Sequence, residues 1–306
     1  MTGPNLLLPL TYPAAERQGV RLLLWRDDLH GPPALPGNKA RKLKYNLRQA
    51  RAEGHTRLLT FGGAYSNHLV AVAAAGRLQG FGTVGLVRGE EHQPLNPTLA
   101  QCRADGMTLH YLDRSTYRHR TELALLAELQ ARYGPAYLLP EGGTNALALP
   151  GVAELVPELL QHTDFTHLAV AAGTGGTLAG LALGLAQASH PARALGVAAL
   201  KGADFLRAEV DALTLAANGH VLTNYDLHTG YHFGGYAKLP PALQGFITAF
   251  QQQYHVLLDP IYTGKLLAAV FDLVDKSYFT PGSTVVAVHT GGLQAWAGFR
   301  SSSLEP

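Results

Sequence analysis

The chain has 306 residues and a net charge of +2, with 15% charged and 47% apolar residues. This composition excludes a disordered chain, and so small a net charge gives no support for a nucleic-acid or anionic-membrane partner. The single cysteine, Cys102, excludes an intrachain disulfide and a multi-cysteine metal site, and it favours a reducing, cytoplasmic environment. The length favours two domains.

Short apolar runs alternate along the chain with longer segments of helical pattern. The predicted strands are 20–25, 57–61, 83–87, 108–112, 167–172, 195–200 and 283–289. The predicted helices are 66–79, 97–105, 122–133, 151–161, 177–188, 203–217, 241–254 and 264–275. This alternation predicts an α/β fold with parallel sheets covered on both faces, so we expect ligands beyond the carboxyl ends of the strands.

One stretch, 168–188, carries no charged residue and could be either a buried segment or a membrane span. It contains five glycines and only six large aliphatic residues, whereas a membrane-spanning helix needs about 20 predominantly apolar residues. We therefore expect a buried strand and helix here, and no membrane partner.

Three loops that follow predicted strands could carry chemistry. The first, Gly62-Gly63-Ala64-Tyr65-Ser66-Asn67-His68, leads into a predicted helix, where free N–H groups and the helix dipole favour an anion. Ser66 is also interpretable as a simple helix N-cap. For His68, a proton-relay role and a packing role both remain open.

The second loop, Gly173-Thr174-Gly175-Gly176-Thr177, opens another predicted helix and offers backbone N–H groups and two hydroxyls to one phosphate group. It lacks the Gly-Lys-Ser/Thr ending of a P-loop, and Leu178 stands where a dinucleotide fingerprint has its third glycine. A nicotinamide dinucleotide is therefore disfavoured. The third loop, Thr290-Gly291-Gly292, is either a polar part of the same site or a plain glycine turn.

Three of the seven lysines, Lys39, Lys42 and Lys44, lie in the nine-residue segment 36–44. On a helix, Lys39 and Lys42 share one side, and a neighbouring cation and a helix N-terminus would both lower the pKa of Lys39. A lowered pKa frees the amine for Schiff-base chemistry, whereas the alternative is a solvated basic helix face. A reactive lysine and a cradle for one phosphate together suggest pyridoxal 5′-phosphate (PLP) as the cofactor.

Five motifs, in this order, resemble the 1-aminocyclopropane-1-carboxylate (ACC) deaminase / D-cysteine desulfhydrase family. They are Gly37-Asn38-Lys39 with Arg41-Lys42-Leu43, Tyr65-Ser66-Asn67-His68, Gly173-Thr174-Gly175-Gly176-Thr177, Asp259-Pro260-Ile261-Tyr262-Thr263-Gly264-Lys265 and His289-Thr290-Gly291-Gly292. That family belongs to the fold type II, tryptophan synthase β-like PLP enzymes. The resemblance implies two open parallel-sheet α/β domains with the active site in the cleft between them. We expect a large domain of residues 1–45 plus 155–306, a small domain of residues 46–154, and a homodimer.

The resemblance also implies a role for each motif. Lys39 would bind PLP covalently and move protons, and Asn67 would hydrogen-bond the ring hydroxyl of the cofactor. Ser66 would take the carboxylate of a small amino-acid substrate. The substrate-binding set would be Tyr65, Ser66, Asn67 and His68.

The later motifs would complete the site. The cofactor phosphate would lie on residues Gly173, Thr174, Gly175, Gly176 and Thr177. Thr290 would hydrogen-bond the pyridine nitrogen, and Tyr262 would be an acid/base or stacking group near the substrate. Tyr236, in Tyr236-Ala237-Lys238-Leu239-Pro240, is the nearest match to a second active-site tyrosine. Glu141-Gly142-Gly143-Thr144-Asn145 resembles a further family loop, with ligand contact and turn formation both open.

Departures from the family pattern bear on the substrate. Thr263 and Thr290 stand where dedicated ACC deaminases resemble a pattern of Glu and Leu. The resemblance is therefore closer to D-cysteine desulfhydrase, which converts D-cysteine to pyruvate, hydrogen sulfide and ammonia by α,β-elimination. Tyr65 stands where members often carry Gln, a departure that would reshape the substrate pocket.

Several alternatives stay open. Within the enzyme class, the alternative is deamination of ACC or of another small amino acid. Outside it, the chain could be a catalytically silent PLP-binding protein or a nucleotide-binding Rossmann protein. His228 and His232 have the spacing of zinc ligands on a helix, but the glycines around them argue against a helix, so we expect no metal.

Overall fold

The structure is a computed structural model that describes residues 6–300, with the exception of the side chain of Arg300. Its strands are β1 (Leu7–Pro9), β2 (Arg21–Trp25), β3 (Arg57–Gly62), β4 (Gly82–Arg88), β5 (Met107–Leu112), β6 (Tyr137–Leu139), β7 (His167–Ala172), β8 (Arg193–Ala198), β9 (Tyr225–His228) and β10 (Thr284–Val288). Its α-helices are α1 (Pro13–Arg17), α2 (Gly37–Ala52), α3 (Asn67–Gln79), α4 (Pro97–Ala104), α5 (Arg114–Arg118), α6 (Leu123–Tyr133), α7 (Ala148–Ala153), α8 (Leu155–Leu160), α9 (Gly176–Gln187), α10 (Leu206–Asn218), α11 (Pro241–Tyr254), α12 (Thr263–Asp275) and α13 (Trp296–Arg300). The alternation of strands and helices confirms the predicted α/β class.

The chain divides into two compact units. The first contains the residues up to 31, residues 36–38 and residues 146–293, and the second contains 32–35, 39–145 and the residues from 294 onward. The chain therefore changes unit between Asn38 and Lys39, inside α2. The predicted boundary after residue 45 also falls inside this helix, and the predicted boundary after residue 154 falls between α7 and α8.

The first unit is built on a six-stranded sheet in the order β1-β2-β10-β7-β8-β9. All of its neighbouring strands pair in parallel except β1, which runs antiparallel to β2 at one edge. The core strands are rich in Val, Leu and Ala and are buried, as expected for a parallel sheet that helices cover on both faces.

The charge-free stretch 168–188 forms β7 and α9 in the core of this unit. Small residues let α9 approach α7 closely: a Cβ at Gly180 would lie 2.5 Å from Val152 Cβ, and one at Gly184 would lie 2.6 Å from the Ala153 carbonyl oxygen. The prediction of a buried strand and helix is thus confirmed. Among residues 6–300, no helix has the length and apolar character needed to cross a membrane.

The second unit contains a four-stranded, fully parallel sheet in the order β5-β4-β3-β6. The Ala-rich face of α3 packs on one core of this unit, together with α2 and residues of β3. A second core of this unit joins other residues of β3 and β4 to α6. The two parallel-sheet units agree with the predicted fold.

The structure differs from the predictions where elements are short or interrupted. The predicted helix 151–161 is two helices, α7 and α8. Pro157 has no N–H to donate to the carbonyl of Ala153, so the helical hydrogen-bond ladder is interrupted at Glu154, although Glu154 keeps helical dihedral angles. The elements β1, α1, α5, β6, β9 and α13 were not predicted because three to five residues are too few to show a period. The long helix α2 was also absent from the predicted elements, and a helix was considered only for the lysines at its start.

Candidate active site

In the second unit, two lysine amines of α2 meet at one carbonyl group. Lys39 Nζ donates to the Gly142 carbonyl at 3.1 Å, and Lys42 Nζ donates to the same oxygen at 2.6 Å. Lys42 Nζ also donates to Thr144 Oγ1 at 2.6 Å. The loop 141–145 therefore provides the acceptors for the amines, and the interpretation of α2 as a solvated basic face is wrong for Lys42, which is buried.

The surroundings of these amines lower the pKa of both. Burial lowers the pKa of Lys39 to about 8, against a smaller opposing effect of Glu141. Burial also holds the pKa of Lys42 well below its ordinary value, and the charge of Lys39 adds to this effect. The predicted lowering of the Lys39 pKa is confirmed, but its main cause is desolvation rather than a neighbouring cation.

His68 is a buried, neutral imidazole whose tautomer follows from its partners. Its Nε2 lies 2.8 Å from Thr60 Oγ1, and the Thr60 hydroxyl donates its proton to the Leu139 carbonyl at 2.9 Å. Nε2 must therefore carry the hydrogen, which leaves Nδ1 as an acceptor. Burial, with Lys39 and Lys42 nearby, keeps the pKa of His68 well below its ordinary value. Nδ1 has no hydrogen-bond partner among the described residues.

Ser66 is the N-cap of α3. Its Oγ accepts from the backbone N–H groups of His68 at 3.2 Å and of Leu69 at 3.3 Å. The N-cap interpretation is thus confirmed. The predicted contact of Ser66 with a substrate carboxylate stays a prediction, and the remaining N–H groups of the first turn of α3 are suited to it.

Asn67 has a partner that the sequence did not indicate. Gln294 Nε2 donates to Asn67 Oδ1 at 2.6 Å, which leaves the amide N–H groups of Asn67 to face another acceptor. In the same segment, a Cβ at Gly298 would lie 2.9 Å from the ring of Tyr65, so the two are in close contact. No spacing rule links residues more than 200 positions apart, and only the fold reveals these contacts.

In the first unit, the glycine loop after β7 leads directly into α9, and its predicted binding of a phosphate stays a prediction. Gly175 is the N-cap of α9 and has a φ of +79°, a conformation that favours glycine. The N-terminal N–H groups of α9 thus begin directly at the loop 173–177. Thr177 Oγ1 donates to Asn38 Oδ1 at 3.1 Å, which ties the loop to the residue before Lys39.

Tyr262 lies against this loop on a turn that a buried carboxylate organises. A Cβ at Gly173 would lie 3.0 Å from Tyr262 Cε1 and 3.4 Å from its hydroxyl oxygen. Asp259 accepts from the backbone N–H groups of Ile261, Tyr262 and Thr263 at 2.7–2.9 Å. The carboxylate therefore fixes the backbone from which the Tyr262 ring projects.

Tyr236 and Thr290 also lie in the first unit. The Tyr236 and Tyr262 rings meet edge to face, with centroids 6.2 Å apart, so the structure brings the two predicted tyrosines together. A Cβ at Gly37 would lie 3.3 Å from the Thr290 carbonyl oxygen, which places Thr290 beside the turn that starts α2. The predicted hydrogen bond of Thr290 to the cofactor stays a prediction.

Each unit by itself offers groups with specific chemical functions. An amine with a pKa of about 8 is partly unprotonated near neutral pH and can attack a carbonyl carbon. A helix N-terminus preceded by glycines binds an anion, and a tyrosine hydroxyl can exchange a proton. Within residues 6–300, no group of three or more His, Cys, Asp or Glu side chains is arranged to hold a metal ion.

Comparison with known proteins connects these features to a family. A family model described as pyridoxal-phosphate dependent enzyme matches residues 2–291. A protein of Pyrococcus horikoshii, provisionally named as an ACC deaminase, is 29% identical over 292 residues, covering 93% of this chain and 89% of the relative. D-cysteine desulfhydrase of Klebsiella pneumoniae is 32% identical over 296 residues, covering 92% and 89%. The crystal structure of an ACC deaminase homologue superposes with a TM-score of 0.84 at 28% identity, covering 98% of this chain and 93% of that one.

Proposed function

We propose that this chain, which belongs to the family of pyridoxal-phosphate dependent enzymes, is a deaminating lyase that acts on D-cysteine. The overall reaction consumes D-cysteine and one water and yields pyruvate, hydrogen sulfide and ammonia. A small amino acid fits the polar groups described above, whose hydrogen-bonding capacity suits a carboxylate and an amine. The more specific choice of D-cysteine rests on one position, Thr263.

The residues present fit PLP. The amine of Lys39 has the lowered pKa that bonding to an aldehyde carbon requires, and the turn at Gly175 presents N–H groups suited to a phosphate. We assign the phosphate to the loop 173–177, the ring hydroxyl to Asn67 and the pyridine nitrogen to Thr290. When bound, PLP stabilises negative charge at the α-carbon of the substrate.

The chain itself would supply binding and proton transfer. Ser66 and the first-turn N–H groups of α3 would hold the substrate carboxylate, with Tyr65 at the rim of this loop. Once free, the Lys39 amine would take the α-proton at Nζ, since its pKa of about 8 suits a base near neutral pH. Tyr262 would protonate the departing sulfur, with Tyr236 packed on its ring.

The observation that carries the choice of substrate is the orientation of Thr263. Its hydroxyl donates to Asp259 Oδ2 at 2.7 Å and accepts from the Asp259 N–H at 2.8 Å, so the side chain is buried in the turn. Position 263 therefore offers no carboxylate beside Tyr262, whereas the ACC deaminase pattern has Glu there. The sulfur of D-cysteine is a good leaving group, so the Tyr262 hydroxyl would be sufficient as its proton donor. The absence of a carboxylate at position 263 is therefore compatible with β-elimination.

The test is a product assay on purified protein with D-cysteine, L-cysteine and ACC as separate substrates. We expect pyruvate, sulfide and ammonia in equal amounts from D-cysteine, and a visible cofactor band that borohydride fixes to Lys39. Turnover of L-cysteine at an equal or higher rate would contradict the assignment. A cofactor band without turnover of any amino acid would identify a silent PLP-binding protein instead.

ACC deaminase is the second candidate, because the Pyrococcus horikoshii relative and the solved homologue carry that name. Its product from ACC would be 2-oxobutanoate with ammonia and no sulfide, so the same assay separates the two activities.

We further assign the enzyme to the cytoplasm as a homodimer. The lone cysteine, Cys102, is buried, and burial raises its pKa to about 12, which suits a chain without disulfides. The homodimer rests on the family resemblance, and light scattering of the purified protein tests it.

A further inference from the structure

Lys265 is a buried lysine that the proposed reaction does not use. It lies in the first turn of α12 and is fully buried. Two effects make this position unfavourable for a cation, because burial removes water from the charge and the N-terminal end of the helix dipole is positive. No ion pair to a carboxylate is made by Lys265 within the described residues, although Asp259 is close enough to favour its charged form.

The amine of Lys265 instead joins two main-chain carbonyls. Nζ donates to the Ala199 oxygen at 3.0 Å and to the Gly235 oxygen at 2.7 Å. Ala199 directly follows β8, and its own N–H is bonded to the Ala172 carbonyl of β7. One end of this bridge is therefore anchored on the sheet, and the other end lies on the loop between β9 and α11.

The loop between β9 and α11 contains four residues with positive φ angles. Phe233, Gly234, Gly235 and Ala237 have φ angles of +51°, +91°, +118° and +54°. Two of the four are not glycine, and such conformations persist only where the surrounding structure enforces them. The Gly235 carbonyl, which Lys265 binds, belongs to the peptide directly before Tyr236.

The bridge lies next to the tyrosine pair. The Tyr236 ring contacts the ring of Tyr262, which lies against Gly173 at the start of the anion cradle. Asp259 fixes the backbone of Tyr262 through three N–H groups. Lys265 binds the peptide that precedes Tyr236, as Asp259 binds the backbone of Tyr262. One buried ionisable group therefore holds the backbone at each tyrosine.

We propose that Lys265 is a positioning residue, whose ammonium holds the Gly235 carbonyl to the Ala199 carbonyl and thereby keeps the Tyr236 ring against Tyr262. It touches neither substrate nor cofactor and acts through Tyr236. The catalytic consequence rests on the proposed function, but the structural consequence does not. Without the bridge, the segment 233–238 loses its anchor while the Asp259 turn keeps its own hydrogen bonds.

The test compares Lys265→Met, which keeps an unbranched buried side chain but no donor, with Lys265→Arg, which keeps charge and donors. Lys276→Met, at the exposed end of the same helix, is the matched control. Hydrogen exchange of the holoenzyme is measured by mass spectrometry. We expect exchange of residues 233–238 to rise roughly tenfold or more in Lys265→Met, to return partly towards wild type in Lys265→Arg, and to be unchanged in residues 259–264.

A double-mutant cycle with Tyr236→Ala tests whether the effect passes through the tyrosine. We expect Lys265→Met to lower kcat for D-cysteine roughly tenfold in the wild-type background and less than about twofold in the Tyr236→Ala background. Unchanged exchange at 233–238, or an equal loss of kcat in both backgrounds, would overturn the proposal. If Lys265→Met does not fold, Lys265→Gln, whose shorter amide cannot span both carbonyls, is measured in the same way.

The two proposals can fail separately. If wild-type protein does not turn over D-cysteine, the proposed function fails, while the exchange at 233–238 still decides the role of Lys265. If turnover is found but exchange is unchanged, the role of Lys265 fails alone.

Discussion

The two regions that contain buried lysines use positive charge differently. In the second unit, Lys39 and Lys42 share a single acceptor, the Gly142 carbonyl. In the first unit, Lys265 has two carbonyl acceptors to itself and a carboxylate nearby. In both regions burial is the main cause that lowers the pKa, to about 8 for Lys39 and about 8 for Lys265.

The similar pKa values of Lys39 and Lys265 therefore do not imply that the two lysines have the same role. Lys39 is partly buried, its amine shares the Gly142 oxygen with that of Lys42, and it is the amine for which we propose the bond to the cofactor. Lys265 is fully enclosed and well bonded, so its amine fixes main chain instead. The difference teaches that a similar lowering of the pKa can accompany different surroundings, and the two proposed roles follow from the number of acceptors and the access of each amine.

The strongest challenge to this comparison is the substitution Lys39→Met. We expect turnover of D-cysteine to fall by roughly a thousandfold or more, since methionine has no amine to take the proposed roles of bonding the cofactor and moving the proton. Thermal unfolding and far-UV circular dichroism should show an intact fold. Lys44→Met, on the same helix, is the control and should keep most activity. Retention of more than a tenth of the activity in Lys39→Met would remove the amine from the mechanism.

The substitution Gly175→Ala tests whether the main-chain N–H groups at the start of α9 bind the phosphate of PLP. The φ of +79° and a Val210 methyl carbon 3.0 Å from the new Cβ both oppose alanine there, and we expect PLP to bind roughly tenfold more weakly. Equilibrium dialysis and absorbance titration measure the affinity. Gly219→Ala is a matched control, since Gly219 has a φ of +80° but open space around it. Both variants should lose about 1 kcal/mol of stability, but weaker PLP binding in both would show that backbone strain alone explains the effect.

Competitive amine labelling of the cofactor-free protein sharpens the contrast between Lys39 and Lys265. Only an unprotonated amine reacts, so labelling of Lys39 should rise with pH and reach half of its maximum near pH 8. Lys265 has the same pKa of about 8 but should label roughly tenfold more slowly or less, because its amine is enclosed. Peptide mapping by mass spectrometry gives both rates. Equal labelling rates at Lys39 and Lys265 would contradict the difference in access between the two amines.

The smallest expected effect belongs to Gln294→Met. Gln294 occupies Asn67 Oδ1 and so orients the Asn67 amide, and its loss should weaken PLP binding about two- to fivefold. In an Asn67→Ala background the same substitution should have no further effect. An additional loss of affinity in that background would show that Gln294 acts by another route.

Much of the fold was predictable because its long elements are periodic. Apart from the short helix α5, the strands and helices from 57 to 133 were predicted to within one residue at each end, since apolar runs and Ala-rich segments alternate there clearly. The loops 62–68 and 173–177 were predictable as sites for the same reason, because they follow buried strands and open helices. The short elements were not predictable, since they depend on pairing at the edge of a sheet. The break at Glu154 was not predictable either, since it depends on the missing N–H group of Pro157.

The amino-acid sequence alone determined the alternating α/β order, the glycine turn at Gly175 that opens α9 and the cluster of lysines that starts α2, because these follow from local periodicity and residue type. Only the tertiary structure decided which carbonyl the amines share, which tautomer His68 adopts, and that Gln294 and Lys265 reach Asn67 and Gly235. Those contacts join residues far apart in the chain, and desolvation, which sets the pKa values, exists only once the chain has folded.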